Sequence, residues 1–316
     1  MNWQNTYSNK ANPLDEFKSF FKKKDVLSRL IMVNVTVFAF INILALILFI
    51  FNLDQEFLRN HGVSRLTYYL SLPSDFFSLI MRPWSLITYM FVQEDVFHLF
   101  FNMLILYVGG RIFNQFVGEK KMLSVYMISG LAGAIMYILT FNIFPAFGNI
   151  VSSSFAIGSS ASVLGIFIAA ATFAPNLQLN MIIIGNIKLK YIAIIFIALD
   201  FLNIRIGNAG GHIAHLGGAI YGFFFISQLK KNIDYSVYFN KLSQSLQTIF
   251  FQNKKAKNPF QKVHRNARPL TDDEYLKNKK EKQVAVDAVL DKIKKSGYES
   301  LSTKEKQLLF QASKDV

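Results

Sequence analysis

The chain contains no cysteine. That excludes a disulfide framework, a thiolate metal site and a cysteine nucleophile. Charge is scarce as well: Asp, Glu, Lys and Arg make up 17% of the 316 residues, against roughly a quarter in soluble domains. Acids are the scarcer sign, with 20 Asp and Glu facing 34 Lys and Arg. Apolar residues take the place of the missing charge, at 52% of the chain and with 32 Phe. This is the composition of a membrane protein rather than of a water-soluble domain. Most of the net charge of +14 lies in the two ends of the chain. Beside spanning helices such charge first reports orientation, and its lipid partner is the anionic headgroup rather than nucleic acid.

Residues 30–51 carry no charged side chain and are long enough to cross a hydrocarbon core of roughly 30 Å. Lys22-Lys23-Lys24 and Arg29 precede them, and no small-residue cleavage site follows. A spanning helix is therefore expected rather than a secretory signal. Residues 52–95 are too polar to cross and too aromatic to stand free in water, which suits the interface. Five further apolar runs follow, at 96–112, 122–143, 160–173, 191–202 and 210–226. The expected fold class is all-α: a polytopic membrane protein with a six-helix bundle and a small helical tail. The expected divisions are an N-terminal segment at 1–29, a membrane domain at 30–229, a basic linker at 230–270 and a helical hairpin at 271–316. In the tail, Thr271-x-x-Glu274 and Ser302-x-x-Glu305 have the form of capping boxes. Val286, Val289, Leu290 and Ile293 form an apolar stripe that Leu308, Leu309 and Phe310 could cover.

Lys and Arg concentrate before the first span, between the second and third, between the fourth and fifth, and after the sixth. The connection between the third and fourth spans has no charge, and that between the fifth and sixth has Arg205. By the positive-inside rule both termini are cytoplasmic, and the second, fourth and sixth spans begin at the outer face. A multi-pass position in a cell membrane, of the bacterial inner-membrane kind, is expected.

Polar groups in such spans are costly and usually face a protein interior or a wet cavity. Ser160 opens the fourth span and His215 lies shortly after the start of the sixth, so both stand near the outer end. His98 and Asn102, four residues apart on one face of the second span, come to the same depth. A hydroxyl with an imidazole is the minimal kit for nucleophilic catalysis: Ser160 as nucleophile, His215 as base. His98, Asn102 and the Ser160 backbone N–H are donors suited to a developing oxyanion. Gly218 and Gly222 form a G-x-x-x-G, a signature of close helix contact. His212 and His215, with His98, are also residue types that ligate zinc, but no carboxylate or thiolate stands near them in the sequence. No metal or cofactor is expected.

Four pieces in order resemble the rhomboid family of intramembrane serine proteases: Arg82-Pro83-Trp84, His98-x-x-x-Asn102, Gly158-Ser159-Ser160, and Ala214-His215-Leu216-Gly217-Gly218 with Gly222. The resemblance spans roughly residues 30–230. It implies a six-helix bundle around a water-filled outer cavity, a Ser–His dyad, no cofactor, and transmembrane segments of other proteins as substrates in the bilayer. Three positions depart from the family pattern. Ala161 stands where glycine is usual and Leu164 where an aromatic residue commonly stacks on the histidine. Gly109-Gly110-Arg111 lacks the acid that often follows. The alternatives are a catalytically silent rhomboid-like protein that binds transmembrane helices, or a transporter with a polar site between the second, fourth and sixth spans. The tail would meet anionic lipid or a protein partner.

Overall fold

The computed structural model describes residues 25–53, 55–181, 185–250 and 272–312. It forms two compact units, one reaching Leu246 and the other starting at Gln247.

The first unit opens with α1 (Val26–Ile50), capped by Asp25, whose carboxylate accepts the Ser28 N–H. Its first three turns bury Leu27, Leu30, Ile31 and Asn34. Beyond them Phe40, Ile43, Leu46, Phe49 and Ile50 are exposed, as befits a helix bathed in lipid on most of its surface. The segment expected at the interface folds into four short helices, α2 (Gln55–His61), α3 (Arg65–Leu70), α4 (Phe76–Met81) and α5 (Ser85–Thr88). Between α3 and α4 lies strand β1 (Leu72–Pro73). Arg82 is buried here, donating to the Tyr68 carbonyl at 2.8 Å with its guanidinium 4.5 Å from the Tyr68 ring centre. Trp84 Nε1 donates to the Tyr69 carbonyl. The Arg-Pro-Trp element thus holds this aromatic segment together.

Next come α6 (Val96–Phe116) and α7 (Glu119–Ile143). Asp95 caps α6 by accepting the His98 N–H. Among the described residues, these two and α1 are the three helices long and apolar enough to cross a membrane. After strand β2 (Phe155–Ala156) comes α8 (Ser160–Phe173), in which residues 161–171 are all buried. At 14 residues and 1.5 Å per residue, α8 spans only about 21 Å, short of the bilayer core. A short span is tolerable at the centre of a bundle, because the irregular backbone before it is packed in protein rather than lipid. Strands β3 (Gln178–Met181) and β4 (Gly185–Lys188) form a hairpin leading to α9 (Leu189–Asn203), and α10 (Ala209–Leu229) completes the six.

Each of the six expected spans is a helix, with ends that differ from the expected ones by at most four residues. The protein is therefore an all-α polytopic bundle, with two small two-stranded sheets among the described residues. In the expected linker at 230–270, helix α11 (Ser236–Phe250) forms; residues 251–271 lie outside the described part. In the second unit, α12 (Asp272–Ser296) stops at Gly297, whose φ of 78° is open to glycine without strain. The chain then enters α13 (Thr303–Ala312). Ser302 and Glu305 form the expected reciprocal cap, with Ser302 N–H donating to Glu305 Oε2 at 2.7 Å and Glu305 N–H to Ser302 Oγ at 3.4 Å. The hydrogen bond from Lys292 and those from Ser302 depress the Glu305 carboxyl to about 2. Of the expected stripe Val289 is buried, whereas Leu290 is exposed. Thr271 lies outside the described residues, as does the Phe310 side chain.

Candidate active site

The packing of α10 sets the geometry. Its consecutive glycines, about 100° apart on the helix, face two different neighbours. A Cβ built on Gly217 would stand 2.7 Å from the Ala132 carbonyl oxygen and 2.9 Å from Gly133 Cα, both on α7. A Cβ on Gly218 would overlap the Ala161 carbonyl oxygen and come 3.1 Å from Ala161 Cα on α8. One turn on, Gly222 meets the Gly165 backbone in the same way. The two helices run parallel with Gly218 against Ala161 and Gly222 against Gly165. That register carries His215, one turn before Gly218, to the level of Gly158–Ser160. Ala161 is accommodated because α7 offers Gly133 opposite it: a Cβ there would lie 2.7 Å from Ala161 Cβ.

Gly158 brings His98 and Ser160 together. Its φ is +127°. A Cβ on it would lie 3.2 Å from His98 Nε2 and 3.3 Å from Ser160 Oγ. The imidazole of α6 and the hydroxyl of α8 therefore share one cradle, which only a residue without a side chain leaves open. Several bonds from the interfacial segment fix this loop. Gly158 N–H donates to the Tyr89 carbonyl at 3.0 Å, and β2 pairs antiparallel with β1, Leu72 against Ala156. Ser74 Oγ also donates to the Val151 carbonyl.

The His98 tautomer follows from its partner. Its Nδ1 accepts the Glu94 backbone N–H at 3.3 Å. A neutral ring then carries its proton on Nε2, the nitrogen that faces Gly158 and Ser160.

Asn102 is buried and donates Nδ2 to Gln93 Oε1 at 2.8 Å. One of its two N–H groups is committed there; the other is the one an oxyanion would use. Gln93 in turn donates to Ser159 Oγ at 2.9 Å and to Asn34 Oδ1 at 3.0 Å. Asn34 bonds Tyr126 Oη at 3.1 Å, and Tyr126 donates to the Met90 carbonyl. This buried chain ties α1, α6 and α7 to the residue just before Ser160. It engages Ser159 Oγ, which makes no capping bond to α8. Sequence reading missed Gln93, Asn34 and Tyr126. Asn34, an amide inside an apolar span, was the available signal.

One expectation needs correction. A carboxylate does stand beside the histidines. Asp200, near the end of α9, receives both His212 Nδ1 and His215 Nδ1 on Oδ1, each at 2.8 Å. The sequence separates them by 12 and 15 residues, but the turn from α9 into α10 brings them side by side. His98 is not part of this cluster, which comprises Asp200, His212 and His215. Asp200 is the one acidic residue inside the six expected spans, and that rarity was a legible signal.

The fold and the site define a polytopic membrane protein with a serine, histidines and an amide gathered at one end of a six-helix bundle. A model of the Rhomboid domain matches residues 81–231. A second model, a family of unknown function (DUF6576), matches residues 271–315. Among curated relatives, the chain is 25% identical over 140 residues to presenilin-associated rhomboid-like protein A, mitochondrial, of Danio rerio, covering 43% of this chain and 35% of the relative. It is 29% identical over 141 residues to RHOMBOID-like protein 1 of Arabidopsis thaliana, covering 44% and 33%. It is 27% identical over 142 residues to the mitochondrial RHOMBOID-like protein 6 of the same plant, covering 45% and 42%. The chain thus spans about a third to two-fifths of the length of the curated relatives it matches. Residues 81–231 thus carry a Rhomboid domain.

Proposed function

We propose that this protein is an intramembrane serine endopeptidase that cleaves transmembrane segments near the outer face of a cell membrane, with both termini cytoplasmic. The observation that carries the reading is the Gly158 cradle. It sets Ser160 Oγ beside a donor imidazole, at the level where the glycine register of α8 and α10 delivers His215.

In this reading His215 Nε2 takes the Ser160 hydroxyl proton as Oγ attacks the scissile carbonyl. The carbonyl oxygen becomes an oxyanion and accepts from His98 Nε2–H, the Asn102 amide and the Ser160 backbone N–H. That N–H is one of the four that a helix start leaves unpaired. The imidazolium returns its proton to the leaving amine, and the C–N bond breaks to leave an acyl ester on Ser160. His215 then deprotonates a water that attacks the ester carbon; the C–Oγ bond breaks, Ser160 Oγ takes the proton back from the imidazolium, and the new carboxyl terminus is released.

The test is an active-site fluorophosphonate probe with a transmembrane reporter in bilayers. Ser160→Ala and His215→Ala each abolish labelling and cleavage. The double variant is no worse than either single one, because the two residues act as a unit. Wild-type protein that is folded yet neither labels nor cleaves would overturn the reading in favour of a silent helix-binding relative.

A further inference from the structure

We infer that Asp200 is a positioning residue for His215, turning a two-residue catalytic arrangement into a three-residue one. The carboxylate accepts and cannot donate when ionised, so the His215 proton on the shared bond sits on Nδ1. That leaves the Nε2 lone pair as the base the reaction needs, and which ring nitrogen is protonated is set by the bond the other makes. Without such a partner, a neutral imidazole distributes its proton between the two nitrogens and can rotate about its side-chain bonds.

The surroundings fit this role. Asp200 is 8% exposed and belongs to a helix otherwise apolar from Tyr191 to Leu202. A lone carboxylate there is expensive and is retained where it has a task. His212 donates to the same Oδ1 at 2.8 Å from one turn earlier on α10. Two N–H groups converging on one oxygen fix the carboxylate's rotamer, which in turn fixes the His215 ring. Both N···O separations are 2.8 Å, the length of a charge-assisted hydrogen bond. Asp200 would not take up the proton. It stays ionised and stabilises the imidazolium that forms while Ser160 attacks.

The effect of Asp200 on catalysis rests on the protease reading; its hold on the His215 ring does not. The experiment therefore has two readouts on the full-length protein in bilayers. Nitrogen-15 spectra of the His215 ring report the tautomer directly. The wild type shows protonated Nδ1 and bare Nε2. Asp200→Ala, and the isosteric Asp200→Asn if Ala fails to fold, shift the population toward Nε2–H. In kinetics, either variant lowers kcat on a reporter and the fluorophosphonate labelling rate by about 10²–10⁴-fold, the range seen when the third residue of a serine triad is removed. KM changes less than about threefold, and Asp200→Glu recovers part of the rate. An unchanged His215 tautomer in a folded Asp200 variant would overturn the inference. So would labelling at the wild-type rate, or zinc bound by these residues in the purified protein. A wild type that neither labels nor cleaves but shows the tautomer shift would refute the protease reading and leave the Asp200–His215 coupling standing.

Discussion

Gly218→Ala isolates the contact that, in the proposed protease reading, sets the register of His215 against Ser160. The added methyl would overlap the Ala161 carbonyl oxygen and crowd Ala161 C at 2.8 Å and Cα at 3.1 Å. All three are backbone atoms of a wholly buried helix, so no rotamer change relieves the clash. To restore ordinary contact near 3.4 Å, α10 must withdraw from α8 by about 1 Å at this turn, and a shift of that size at a reacting centre can cost about 10²-fold in rate. Two terms act on stability. Overpacking costs about 1–3 kcal/mol, while exchanging Gly for Ala inside a helix gains up to about 1 kcal/mol. The net loss is about 0–3 kcal/mol, too little to unfold the bundle. Activity should therefore fall far more than stability. The measurements are the fluorophosphonate labelling rate of Ser160 and the thermal midpoint in the same detergent. The expected result is labelling slowed about 10²-fold with the midpoint lowered by a few degrees. Gly207→Ala is the control, since nothing lies within 4 Å of a Cβ there, and it should change neither. Labelling of Gly218→Ala at the wild-type rate would refute the claim that this contact sets the meeting of His215 and Ser160.

Three further outcomes follow from the same geometry. Gln93→Leu leaves Asn34, Asn102 and Ser159 without their central partner. At about 1–3 kcal/mol per stranded buried group, denaturation should show a loss of several kcal/mol, and a stability within about 0.5 kcal/mol of wild type would mean the network carries no load. For substrates, a helix hides its carbonyls in its own hydrogen bonds, and freed backbone groups lack partners in lipid. Replacing Gly or Pro by Leu near the outer end of a cleaved transmembrane segment should slow hydrolysis even with the scissile residues unchanged; equal rates across a series graded in helix stability would count against substrate unwinding. In the tail, a folded Glu305 carboxyl at about 2, against roughly 4.3 in an unfolded chain, means its cap is in full force above the unfolded value. The cap weakens as pH falls toward the folded value. Hydrogen exchange of residues 302–312, corrected for intrinsic rate, should therefore quicken between about pH 4.5 and pH 2 in the wild type, and be pH-independent in Glu305→Gln.

What the sequence determined by itself is the part governed by local pattern. Apolar runs at 30–51, 96–112, 122–143, 160–173, 191–202 and 210–226 are each a helix, because length and hydropathy decide a span without reference to neighbours. The Ser302–Glu305 box and the stop at Gly297 were equally local. Gly218 and Gly222 announced a close contact, since only a missing side chain lets two backbones approach this nearly. What the tertiary structure decided are the pairings between segments. Nothing in the spacing of Asn34, Gln93, Asn102 and Ser159 says that one glutamine joins the other three, because three helices and a loop must first converge on it. Nor does the sequence say that Asp200 lies one hydrogen bond from both His212 and His215. The turn between α9 and α10 and the register of α10 on its neighbours create that contact, and a hydrogen bond depends on positions in space rather than on separation along the chain.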